Sequence, residues 1–173
     1  MSAVLHTLLI ATVSPAALVD FKYRKIPNWL TFTAIGVGFL ANAWLDGTRG
    51  LLWALFGCTL AAIFYLPPFF FGFMGAGDVK LMAAVGSIVG PQSWLRIFFW
   101  TVGWAAVLGL GTIVIQGRVR ETLRNMKTLI GSLLRGRRPA ASGARLDIYR
   151  PDAAVMPHAV AIAAATVSWM LWG

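Results

Sequence analysis

Six apolar runs separated by polar breaks, the last of them long, dominate this chain, approximately Ser2 to Val19, Trp29 to Leu45, Leu51 to Gly72, Val79 to Gly90, Trp94 to Gln116 and Ala153 to Trp172. A helix of about 20 mainly apolar residues crosses a bilayer, and it satisfies its backbone amides internally where no water can do so. Six crossings would use about 120 residues of the 173. With 58% hydrophobic and 12% charged residues, the chain is far from the roughly 45–50% and about 25% of soluble domains. A soluble globular fold is excluded. The expected fold is an all-α integral membrane protein of six transmembrane helices, forming one polytopic domain over 1–173.

Orientation follows from the basic residues, because cytoplasmic loops hold an excess of Lys and Arg. No Lys or Arg precedes the first run, whereas Lys22, Arg24 and Lys25 follow it, so it reads as a retained helix with its N-terminus outside rather than a signal peptide. With six crossings, thirteen of the fifteen basic residues share one side and Arg49 and Arg96 take the other. That bias collapses if the short fourth run fails to cross. Both termini are therefore expected outside. The single cysteine, Cys58, excludes an internal disulfide, and two histidines far apart make a poor metal site. No metal or cofactor is expected.

The fourth run has about a dozen apolar residues and is preceded by Gly72, Gly75 and Gly77. Irregular backbone at membrane depth is tolerated where it lines a wet cavity, so Gly72 to Asp78 reads either as the cytoplasmic mouth of one or as an ordinary loop. The loop 117–152 carries nine basic residues. From Arg118 to Leu134, Val119, Leu123, Met126, Ile130 and Leu133 recur at alternating spacings of four and three with Arg118, Arg120, Arg124 and Lys127 between them. This is an amphipathic helix pattern, expected to lie along the inner membrane surface against anionic lipid. The remainder, Arg135 to Asp152, is rich in Gly, Pro, Ala and Arg. A net charge of +9 distributed between apolar runs reports orientation rather than nucleic acid, and aromatic stacking groups are not interleaved with the arginines before Tyr149.

Six acidic residues remain, and four of them, Asp46, Glu121, Asp147 and Asp152, lie in loops or on the surface helix. Asp20 ends the first run and Asp78 begins the fourth, on the same cytoplasmic side. Ionisable groups at membrane depth are expensive and mark function. Each also has an ordinary reading: Asp20 neutralising Lys22 or Arg24, and Asp78 capping its helix. If the two meet, they share one proton, because two adjacent carboxylates do not both ionise easily. One can then take a proton from a water attacking a peptide carbonyl while the other donates to the carbonyl oxygen.

The stretch Asp20-Phe-Lys-Tyr-Arg24-Lys-Ile26-Pro27-Asn28-Trp-Leu30-Thr31 and the stretch Gly75-Ala76-Gly77-Asp78-Val79-Lys80-Leu81 resemble the two signature motifs of the type IV prepilin peptidases, integral-membrane aspartic proteases of the GxGD class. Pro157 to Ala164 is similar to the start of that family's sixth helix in its small type. The resemblance spans nearly the whole chain. It implies that Asp20 and Asp78 are the catalytic pair, removing a short basic leader from prepilins or pseudopilins on the cytoplasmic face of a bacterial inner membrane.

Under that resemblance, Gly75 and Gly77 let a substrate backbone approach closely, and Pro27 starts the second helix without wasting an amide donor. Arg24 and Lys80 are positioning or lipid-anchoring charges, and Asn28 and Pro157 are further motif positions. Larger bifunctional members add a cytoplasmic domain with paired cysteines and methylate the new N-terminus; this chain shows neither that domain nor a cysteine pair, so methylation is not expected of it. His158 and Ala159 stand where the family usually has an aromatic residue and a glycine, which bears on pocket shape. Two other classes accommodate the same aspartates, namely a transporter relaying protons or cations and a non-catalytic assembly protein.

Overall fold

The computed structural model describes residues 2–72, 74–117, 119, 120, 122–124, 127, 131 and 158–172. The described secondary structure is helical: α1 is Ala3–Tyr23, α2 Asn28–Phe70, α3 Ala76–Ile115 and α4 His158–Trp172. The first three are long and apolar enough to cross a membrane. Pro157, most of 118–134 and all of 135–152 lie outside the described residues, so the expected surface helix and the basic loop beyond it are not addressed.

Helices α2, with 43 residues, and α3, with 40, are each about twice the length that one crossing needs, and each is interrupted once. Helix α2 leaves helical geometry at Asp46 and at Gly47, whose φ of 58° and ψ of −139° suit glycine. Helix α3 does so at Gly90, with φ 72° and ψ 175°, and Pro91 follows. Proline can restart a helix there because its missing N–H would have had no partner.

Both breaks reverse the chain. Asn42, before the first break, donates through Nδ2 to the carbonyls of Ser87 and Ile88 at 3.0 and 3.1 Å. Gly57, beyond that break, meets the same α3 segment at Gly86. Across the second break the Trp94 indole N–H donates to Met82 O at 3.2 Å, although twelve residues of straight helix would separate them by about 18 Å. Asn42 thereby serves carbonyls of the last turn before Gly90, which helix geometry leaves without partners. The expected second and third runs are thus two limbs of one helix, 28–45 and 48–70, and the fourth and fifth are 76–89 and 91–115.

Described residues up to Ala105, together with α4, form one packed unit, and 106–156 belongs to a second. Within the first unit, every residue from Leu81 to Gly90 is buried. A helix apolar on all sides belongs inside a bundle, which accounts for the brevity and even apolarity of the fourth run. Backbones touch there: a Cβ on Gly86 would strike the carbonyl oxygen of Gly57, and one on Gly57 would strike that of Gly86. Small residues that let helices approach this closely are the usual glue in lipid, where no hydrophobic force draws helices together. Helix α1 contributes Leu9, Val13 and Ala16 to the core, and α4 contributes Ile162 and Ala165. On the outside, Trp44 is 90% and Leu18 72% exposed. Apolar surface this extensive marks contact with membrane rather than water.

Candidate active site

Asp20 occupies the last turn of α1. The helix stops because Arg24 takes left-handed geometry, φ 54° and ψ 32°, while its N–H still reaches Asp20 O at 2.9 Å. The chain then runs extended through Pro27, which stands at the N-cap position of α2 immediately before Asn28 rather than inside its first turn. The Asp20 side chain turns inward, 7% exposed, and its Oδ2 accepts the backbone N–H of Ala159 at 3.1 Å. That amide belongs to the first turn of α4, where helical N–H groups have no intrahelical acceptor and the helix dipole favours a negative charge. A carboxylate that merely neutralised Lys22 at the membrane surface would have no reason to be buried against a residue 139 positions away.

Asp78 lies in the first turn of α3, again at a helix N-terminus. Its N–H donates to Gly75 O at 3.2 Å, and the Gly75 backbone hydrogen-bonds its carboxylate in return. The charge of Asp20 acts directly on the Asp78 carboxyl. Two side chains 58 positions apart in sequence therefore stand within electrostatic reach, each held by one backbone amide and each facing the positive end of a helix. The two carboxyls are close enough for the charge of one to act on the other.

The flanking motif residues take structural positions around this pair. Lys80 Nζ donates to Asn28 Oδ1 at 2.9 Å and lies 5.2 Å from the centre of the Phe32 ring, so it ties the start of α2 to the start of α3. The charge of Arg24 acts on Asp20. Gly77 faces Ile26: a Cβ there would sit 3.1 Å from the Ile26 Cβ, a tight fit. At Gly75 a Cβ would stand 3.4 Å from Asp78 Oδ2, an ordinary contact.

Two contributors escaped sequence reasoning. The Ala159 amide has no sequence signature, since every residue but proline carries one. Tyr65 did have a signal, a phenol inside an apolar run, where a hydroxyl needs a polar neighbour. It is 3% exposed, and the charge of Asp78 acts on it. Its ring leans on that of His158, centroids 6.2 Å apart, and the His158 Nε2 is buried without a hydrogen-bond partner.

With one carboxyl protonated and one ionised, such a pair can activate water against a carbonyl without further side-chain chemistry. A family model described as the type IV leader peptidase family matches residues 7–110. The match covers more than half of the chain and includes Asp20, Arg24, Pro27, Asn28, Gly75, Gly77, Asp78 and Lys80; Pro157 lies beyond it. No curated protein and no solved structure matches the chain.

Proposed function

The chain belongs to the type IV leader peptidase family, and from that membership we propose that it is an aspartic endopeptidase that removes the short basic leader of type IV or Flp-type prepilins and pseudopilins. The observation that carries this reading is that Asp20 and Asp78 lie within electrostatic reach of each other, each hydrogen-bonded by a backbone amide at a helix N-terminus. In the proposed reaction the ionised carboxylate removes a proton from water as its oxygen bonds to the scissile carbonyl carbon, and the protonated partner transfers its proton to the carbonyl oxygen. Collapse of the tetrahedral species breaks the C–N bond. The leaving nitrogen takes the proton gained from water, and the diol proton returns to the carboxylate that gave it. The pair ends with the one proton it began with.

The test is to incubate purified protein with a basic-leader prepilin in detergent and follow substrate mass. Loss of the leader is expected; an intact substrate under conditions where the protein is folded would overturn the reading.

The same proposal places six crossings in a bacterial inner membrane, with the pair on the cytoplasmic face, both termini outside and the 118–134 segment on anionic lipid. It rests on the division of basic residues and on the two chain reversals. Reporter fusions after Arg135 should read as cytoplasmic, and those after Gly47 and at the C-terminus as external. A cytoplasmic signal at Gly47 would refute this topology.

A further inference from the structure

Tyr65 is one of three tyrosines in the chain, and its ring is clamped. Trp94 meets it edge-on with centroids 6.3 Å apart and planes at 72°, Phe98 does so at 6.0 Å and 77°, and His158 tilts against it at 6.2 Å and 54°. These three rings pack around the phenol from different sides. His158 directly precedes Ala159, the residue whose amide holds Asp20, so the Tyr65 ring rests against the turn that fixes one carboxylate. The charge of the other carboxylate, Asp78, is felt at the phenol. Through His158 the Tyr65 ring is placed beside the turn that anchors Asp20, and it comes from a third element, the second limb of α2.

The groups so far assigned to the site are acid side chains and the two amides that hold them. Those amides are committed to the carboxylates and are not available to a substrate. Attack on an amide carbonyl moves negative charge onto its oxygen, and a donor fixed in advance beside that oxygen stabilises this charge at no cost in reorganisation. A phenol is such a donor. It is neutral in the resting site, so it adds no third charge to two carboxylates.

We propose that Tyr65 is a further catalytic residue of this chain, its hydroxyl donating a hydrogen bond to the carbonyl oxygen of the peptide bond being cut. The proposal rests on the aspartic-peptidase reading given above. It predicts an interaction made mainly in the transition state, because the oxygen becomes a strong acceptor only as the tetrahedral species forms.

The experiment is the kinetics of prepilin cleavage by Tyr65→Phe, which keeps the three ring contacts and deletes one oxygen. Loss of one such donor lowers kcat by about 10²-fold. The expected result is that kcat and kcat/KM fall together by that order while KM stays within about twofold, the signature of an interaction absent from the ground state. The thermal midpoint in detergent should match the unaltered protein. Unchanged kcat, a loss confined to KM, or a parallel loss of stability and activity would each overturn the proposal, the last by making the hydroxyl structural. Asp20→Asn runs alongside. A cleaving Asp20→Asn protein refutes the peptidase mechanism itself, whereas an inert Asp20→Asn beside a fully active Tyr65→Phe refutes only the role given to Tyr65.

Discussion

Neither Asp20→Asn nor Asp78→Asn should release a detectable leader. Both changes are nearly isosteric and leave helix packing in place, yet asparagine can neither hold nor pass on the shared proton. General acid and base catalysis is worth on the order of 10² to 10⁴ per group, enough to put each single variant below detection. In the proposed mechanism the two carboxylates act as a unit, so the double variant should be little worse than either single one. Asp46→Asn is the internal control: Asp46 lies at the break in α2. It should cleave normally, as should Asp147→Asn and Asp152→Asn. Leader removal read by mass spectrometry, with membrane levels checked for every variant, decides the matter. Near-normal cleavage by a well-expressed Asp78→Asn protein would leave the pair without a catalytic role and favour a scaffold function.

The second large effect is expected far from the carboxylates, at Gly86. Overpacking a core commonly costs about 1–3 kcal/mol because side chains must leave their rotamers. At Gly86 no rotamer offers relief, since the obstacle is the backbone carbonyl of Gly57. Any side chain must push the second limb of α2 off the buried limb that carries Asp78. Gly86→Val should accumulate poorly, and what remains should melt well below the unaltered protein and cleave weakly. Gly103→Ala, on the same helix but with open space where its Cβ would go, should leave thermal midpoint and cleavage unchanged. A Gly86→Val protein with an unaltered midpoint would show that the two backbones do not pack as described.

How far the sequence alone could reach is clear from particular residues. Asp20 and Asp78 stand out because acids are scarce in apolar runs, and their cost in lipid is a property of the residue type. The reversals at Gly47 and Gly90 lie where polar gaps interrupt the hydropathy. The enclosure of residues 81–90 fits the shortness of the fourth run, but in the sequence that run is marked only by its shortness and by the glycines before it. By contrast, the contact of Gly57 with Gly86 is a match between two surfaces, and nothing in either local sequence specifies the other. The same holds for Lys80 on Asn28, where both residues were legible as motif positions but their hydrogen bond was not. Least legible is the Ala159 amide, because a backbone donor is present almost everywhere and becomes distinctive only when a helix end points it at a particular carboxylate.

The hydrogen bond from Ala159 to Asp20 also sets a clock. Its two partners are 139 residues apart in the chain. At about 5–20 residues per second, synthesis reaches the donor roughly 7–28 s after the acceptor. Throughout that interval Asp20 has no such donor, and Asp78, made partway through it, meets a carboxylate not yet fixed in place. A nascent chain stalled before α4 therefore carries both acids of the proposed pair without the anchor that aims one of them. If the proposed pair is the catalytic one, hydrolytic competence arrives only with α4.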